Sequence, residues 1–295
     1  MDVIKTEKLT KYYGKVRGIE NLNLQVQKGD FFGFIGPNGA GKSTAIRTLL
    51  GLIVPSSGTA EILGMDIRKN RIPILKRVGY LPSEAIYYSG MKVKEVLKFS
   101  AELRGEKFTK EGQNLCGRLQ LDLNKKIDEL SFGNRKKVGI VCALQHCPEL
   151  LLMDEPTSGL DPLMQREFFD ILKERNRDGA TIFLSSHVLS EIQQNCSRAA
   201  IIRDGSVIAC DSVEALSKTN AKRVHLQGRA DLHSLTGVKD VKTEGGSMSF
   251  LYSGEMNPLL QVLLDGQVRD LNISEPNLDE IFLHYYEGTK GGAEQ

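Results

Sequence analysis

The 295 residues carry 39 basic and 37 acidic side chains, a formal net charge of +2, so no global field draws the chain to nucleic acid or lipid. That length allows one full domain and a smaller second one. Apolar runs such as Leu150-Leu151-Leu152-Met153 fall far short of the roughly 20 residues of a membrane span, and the mixed charges after Met1 lack a secretion signal's apolar stretch, so a cytosolic chain is expected.

Near the start, Tyr13 precedes the flexible Gly14; its ring either covers a nucleotide base or packs within the fold, and the residues alone leave both open. Leu22, Leu24 and Val26 alternate with polar residues before the turn at Lys28-Gly29, the pattern of a strand with one buried face. Phe31, Phe32, Phe34 and Ile35 predict a short buried strand, while Ile46, Leu49, Leu50 and Ile53 recur at helical spacing, with Gly51 placed to close the helix. Between them, Gly36-Pro37-Asn38-Gly39-Ala40-Gly41-Lys42-Ser43 fits the phosphate-loop pattern of Gly, four residues, then Gly-Lys-Ser, in the strand-then-helix context that pattern requires. Its glycines let successive amide N–H groups turn toward the β- and γ-phosphates, Lys42 adds a point charge, and Ser43 offers a hydroxyl to Mg²⁺. This reads as a nucleotide site.

Further on, Ser56-Ser57-Gly58 marks a turn and residues 69–77 a basic, exposed segment. Val78-Gly79-Tyr80-Leu81-Pro82 reads as a strand stopped by proline, with a switch-like loop starting at Ser83 and Glu84. Val93, Val96, Leu97 and Ala101 share one face of a helix over 92–103, and a second, glycine-broken helix is predicted over 110–121; together they form a helical insert at about 84–135. The insert ends at Leu130-Ser131-Phe132-Gly133-Asn134, which leads into a helix carrying Val138, Val141 and Cys142 on one side. Arg135, Lys136 and Lys137 in its first turn oppose the macrodipole unless an anion lies opposite, so a phosphate contact and a solvated basic turn both fit.

The fully apolar strand at Leu150-Leu151-Leu152-Met153 ends in Asp154-Glu155-Pro156. Two carboxylates at a strand tip are costly unless used: Asp154 would hold Mg²⁺ through water, and Glu155 would orient and deprotonate a water attacking the γ-phosphate in line. Asp161-Pro162 opens a helix running to Gly179, and the next strand, 180–184, ends in Ser185-Ser186-His187, which places His187 for a γ-phosphate contact. Asp204-Gly205 suits a hairpin turn, and the first domain, 1–216, closes soon after it. Cys116, Cys142, Cys147, Cys196 and Cys210, odd in number and without paired-ligand spacing, are expected to be reduced and mostly buried. Beyond a linker at 217–221, an accessory domain at 222–287 reads as strand (223–227), helix, strand (238–244), strand (248–252), helix (258–265), strand (268–273) and helix (278–286), a ferredoxin-like order; 288–295 reads as a disordered tail.

With these residues in place, the chain resembles the ATP-binding subunit of an ATP-binding-cassette (ABC) transporter over about residues 1–215. Tyr13 falls at that family's adenine-stacking aromatic, residues 36–44 at Walker A, 130–134 at the signature, 151–155 at Walker B, 158–161 at the D-loop and His187 at the switch histidine. The resemblance implies an α/β fold: a P-loop NTPase (RecA-like) core with an antiparallel β subdomain and a helical insert. It implies ATP and Mg²⁺ as ligands. Nucleotide contacts would come from Tyr13, Gly36, Pro37, Asn38, Gly39, Ala40, Gly41, Lys42, Ser43, Thr44 and Asp161, with Ser131 and Gly133 reaching the γ-phosphate held by an opposing subunit. Metal contacts would come from Ser43, Asp154 and Ser83, and catalysis from Glu155 and His187.

Two departures stand out. Ser83 replaces the usual glutamine, so either Glu84 substitutes or Mg²⁺ is held through an extra water, and Phe132 and Asn134 replace Gly and Gln in the signature. The C-terminal part, with Glu275-Pro276-Asn277-Leu278-Asp279-Glu280-Ile281-Phe282, resembles the accessory domain of drug- and antibiotic-resistance exporters. The implied function is an ATPase that closes as a homo- or heterodimer on ATP and reopens on hydrolysis. It would power a separate membrane-spanning permease from the inner face of the membrane, with no nucleic-acid partner. The alternative is a soluble ABC ATPase acting on the ribosome or DNA. Lys42 and Ser131 lie too close in sequence for the coiled coil of repair members, and ribosomal members usually carry two cassettes.

Overall fold

The computed structural model describes residues 1–217 and 222–274, and the chain divides into two compact units, Met1–Val213 and Glu214–Gln295. In the first unit, β1 (Asp2–Tyr13) and β2 (Val16–Gln27) pair antiparallel across a reversal at Gly14. β3 (Phe31–Ile35), buried at every residue, leads through the glycine loop into α1 (Lys42–Leu49). β4 (Ser57–Ile62) and β5 (Met65–Asp66) complete an antiparallel sheet of order β2-β1-β4-β5. The expected turn at residues 56–58 is therefore the start of a strand. A Cβ on Gly58 would lie 2.2 Å from the Lys8 carbonyl oxygen, so glycine there serves close strand passage.

The basic segment forms α2 (Arg71–Arg77), anchored by buried Ile74, before β6 (Val78–Leu81). The insert follows as α3 (Val93–Glu102) and α4 (Lys110–Arg118), with the apolar face of α3 buried as the spacing predicts. Then come α5 (Phe132–Leu144), β7 (Leu150–Asp154), α6 (Pro162–Arg177), β8 (Thr181–Ser186), α7 (Leu189–Asn195), β9 (Arg198–Arg203) and β10 (Ser206–Ser212); α8 (Val213–Ser217) begins at the last residue of this unit and belongs otherwise to the second. The second sheet has the order β10-β9-β3-β8-β7-β6, parallel from β9 to β6 with β10 antiparallel at the edge.

Ala45, Ile46 and Leu49 of α1 share one core with Ile4, Leu22 and Val26 of the first sheet and Phe32, Phe34, Leu152 and Phe183 of the second. Phe32 and Phe183 stack with ring centroids 5.8 Å apart, each ring contributing about 1.5–3 kcal/mol by burial. This core fixes the register that matters: Ile35 lies opposite Ser186, and Asp154 opposite Ser185. The carboxyl ends of β3, β8 and β7 are thereby side by side, where open α/β sheets place their ligands.

All five cysteines are free; Cys116 and Cys196 are buried, but Cys147 and Cys210 are exposed, which corrects the expectation for those two. No helix among the described residues is long and apolar enough to cross a membrane.

The second unit contains β11 (Lys222–Arg229), β12 (Val238–Glu244), β13 (Ser247–Tyr252), α9 (Met256–Asp265) and β14 (Gln267–Ser274) in an antiparallel sheet of order β12-β13-β11-β14. Val224, Leu226, Phe250 and Tyr252 pack against Leu259 and Leu263 of α9. The helix expected between the first two strands is absent. Residues 230–237 form turns instead, and Leu232 and Leu235 cover the core there, because the stretch is too short for a helix and two reversals. The predicted helix at 278–286, the motif at 275–282, the tail at 288–295 and linker residues 218–221 lie outside the described residues.

Candidate nucleotide site

The loop from β3 to α1 depends on its glycines. Gly39 and Gly41 hold φ of +83° and +105°, and a Cβ on Gly41 would lie 2.4 Å from the Gly18 carbonyl oxygen. A Cβ on Gly36 would lie equally close, 2.4 Å, to the Ile202 carbonyl oxygen. The β9–β10 hairpin also holds the loop, through the Gly205 N–H donating to the Ala40 carbonyl at 2.9 Å. No acidic side chain occupies the first turn of α1 and no side chain caps it, so its amide groups and positive dipole end face the loop.

Lys42 is 6% exposed, and its ammonium donates to the carbonyls of Gly36 (2.6 Å) and Pro37 (3.2 Å). It also lies 3.1 Å from Glu155 Oε1, an ion pair without the alignment of a hydrogen bond. Glu155 follows β7 with a φ of +48°, and its backbone N–H donates to the Ser185 carbonyl at 3.2 Å. Its Oε2 is 2.6 Å from His187 Nδ1. The start of α1 and the residues just after β7 and β8 thus contribute Lys42, Glu155 and His187 to one linked group.

Asp154 is fully buried. Its Oδ1 accepts from Ser185 Oγ at 2.7 Å, while Oδ2 has no hydrogen-bond partner. A buried carboxylate oxygen left this way is costly unless a cation or water meets it. The arrangement fits a hydrated Mg²⁺, which takes one or two carboxylates and otherwise water and phosphate oxygens. Among the described residues no group of three or more His, Cys, Asp or Glu forms an all-protein metal cage.

A cleft of about 430 Å³ opens over the loop. Pro37, Asn38, Gly39, Gly41, Lys42, Ser43 and Thr44 line it, together with Ser83, Glu155 and Tyr13. Tyr13 ends β1 and is 47% exposed, its ring centroid 5.2 Å from Lys11 Nζ. Ser83 reaches the cleft, whereas Glu84 is exposed and does not line it. Sequence reasoning missed Val16, Arg17 and Gly18, which also line the cleft. Their signal was the reversal at Gly14, which pairs Tyr13 with Val16 and Tyr12 with Arg17.

Ser131, Gly133 and Asp161 are not brought to this cleft. Ser131 caps α5, its hydroxyl accepting from the Asn134 N–H at 3.3 Å, and Asp161 caps α6, accepting from the Met164 N–H at 2.9 Å. The two loops touch: a Cβ on Gly133 would lie 2.3 Å from the Gly159 carbonyl oxygen, and one on Gly159 would lie 2.3 Å from the Phe132 ring.

Neither reading of the basic turn holds for Lys136 and Lys137, which are both buried. Lys136 Nζ donates to the carbonyls of Pro82 (3.1 Å) and Ser83 (2.8 Å), and burial pushes its pKa down to about 8 against the opposing pull of Asp154 and Glu155.

The family model described as ABC transporter matches residues 19–158 of this chain. The bacitracin transport ATP-binding protein BcrA of Bacillus licheniformis is 35% identical over 302 residues, spanning 95% of this chain and 96% of that relative. The linearmycin resistance ATP-binding protein LnrL of Bacillus subtilis is 29% identical, spanning 96% and 97% respectively. A solved structure of the ATP binding subunit of an ABC transporter superposes with a TM-score of 0.68 at 28% identity, covering 72% of this chain and 91% of that one.

Proposed function

Because the chain belongs to the ABC transporter family as an ATP-binding subunit with ATPase activity, we propose that it drives a separate membrane-spanning exporter, working in a head-to-tail pair at the inner face of the membrane. The names of the relatives, bacitracin transport and linearmycin resistance, support an antibiotic-like cargo. One observation carries the mechanism: Glu155 lies at hydrogen-bonding distance from His187 and within an ion pair of Lys42, at the mouth of the glycine loop.

In this reading the phosphates of ATP lie along residues 36–44 and the adenine on Tyr13. Lys42 exchanges Glu155 for phosphate oxygens, which frees that carboxylate. Glu155 then takes a proton from water as the water oxygen bonds to the γ-phosphorus and the bond to the β,γ-bridging oxygen breaks, leaving ADP and phosphate. His187 holds the Glu155 carboxylate in place. Mg²⁺ would be held by Ser43 and, through water, by Asp154, with Ser83 beside it, and would neutralise charge on the β- and γ-phosphates. Ser131 and Gly133 do not line the cleft of their own chain, which supports their serving the nucleotide of a second subunit, and Asp161 caps the next helix.

The test is affinity purification of the chain from detergent-solubilised membranes of its native cell. A stoichiometric polytopic membrane protein is expected. Recovery of ribosomal, DNA-bound or other soluble partners alone would overturn export and leave only the ATPase.

A further inference from the structure

The loop that leaves β6 at Pro82 is fastened to α5 at several points. Lys136 Nζ donates to the carbonyls of Pro82 and Ser83, and the Tyr87 hydroxyl donates to the Arg135 carbonyl at 3.3 Å. Gly139 lets the loop press on the helix, since a Cβ there would lie 2.8 Å from Leu81 Cδ1 and 3.0 Å from the Tyr87 hydroxyl. Lys136 is only 2% exposed. Burying a cation whose direct partners are two neutral carbonyls is expensive, and an apolar side chain of the same volume would stabilise the fold as well or better. The cation therefore points to a use beyond packing.

That use follows from what stands at either end. Ser83 lines the nucleotide cleft, and Ser131 caps the same helix that carries Lys136. We propose that Lys136 is a positioning residue: it locks the Ser83 loop to α5, so that Ser83 at the cleft and Ser131 at the helix start shift together as one body. The consequence for catalysis rests on the ATPase reading; the latch itself does not.

The test compares the full-length wild-type chain, Lys136→Met, Ser83→Ala and the double variant, by amide hydrogen exchange and by steady-state ATP hydrolysis. Methionine keeps the length of the stem and removes the donors. Exchange across residues 83–88 is expected to rise about tenfold or more in Lys136→Met, with α1 unchanged. The kcat should fall about fivefold or more while KM for ATP stays within about twofold. In the Ser83→Ala background no hydroxyl is left to position, so Lys136→Met should change kcat by less than about twofold. Lys136→Gln, which retains an N–H donor, should recover part of the loss.

Unchanged exchange in Lys136→Met, or losses that multiply in the double variant, would overturn the proposal. If Lys136→Met does not fold, Lys136→Leu, which also lacks a donor, takes its place in the same comparisons. A wild-type chain that fails to hydrolyse ATP would overturn the functional reading instead, and exchange at 83–88 would still decide the latch.

Discussion

Glu155 keeps a left-handed φ of +48°, a conformation that costs a side-chain-bearing residue about 1–3 kcal/mol, and it persists because Ser185, His187 and Lys42 hold it. Strain of this kind at a strand tip suits a carboxylate that must be aimed. Glu155→Gln should bind ATP normally, lower kcat by about 10²–10⁴ and trap an ATP-bound dimer on size exclusion; near-normal turnover would remove Glu155 from the role of base. Tyr13, half-exposed, also lines the cleft. Tyr13→Ala should weaken ATP binding by about 1–3 kcal/mol with little change in Tm, and unchanged affinity would return the ring to a purely packing role.

Between elements, the contact of the α5 and α6 entry loops is set by Phe132 resting on Gly159, which itself has φ +80°. Gly159→Ala should destabilise the chain by about 1–3 kcal/mol in urea titrations. In a Phe132→Ala background the cost should shrink by about 1 kcal/mol, because the clash is gone while the backbone strain remains. Equal costs in both backgrounds would clear the ring of responsibility.

The segment after α3 meets the end of α5 at His146, where Arg104 Nε donates to His146 Nε2 at 3.2 Å. Burial, then the Arg104 charge, pushes the His146 pKa down to about 4. The unfolded chain, with a histidine near 6.5, binds the extra proton in the window between those values, so stability is full above pH 6.5 and is lost as pH falls toward 4. From pH 7 to pH 5 the wild-type chain should lose about 1–2 kcal/mol more than His146→Gln by urea denaturation, partial exposure trimming the full linkage value. Parallel losses in the two proteins would show that His146 stays solvated.

For the molecule as a whole, the buried cluster that organises the site draws only on residues of the first unit, and so does every residue lining the cleft. A chain ending at Ser217 should fold and bind ATP within about twofold of the full chain, since a unit with its own core is independently stable. A truncated chain that is unfolded would refute that independence; one that binds ATP but is monomeric where the full chain dimerises would give the second unit a role in pairing.

The sequence by itself determined the glycine loop, the carboxylate pair after an apolar strand, the helix start at Asp161 and the family they point to. These are local devices: a phosphate loop needs consecutive backbone amides, and a cap needs a side chain a few residues from the N–H it meets. In the second unit the expected strands are present, while the helix expected between the first two is replaced by turns over 230–237, a stretch too short for a helix, where Leu232 and Leu235 pack on the sheet core. Only the tertiary structure decided that Ser83 and not Glu84 faces the cleft, that Val16, Arg17 and Gly18 join it, and that Lys136 is a buried latch. The reason is physical: Lys136 meets carbonyls far back along the chain, and burial depends on what distant segments cover a side chain, which spacing along one segment cannot encode.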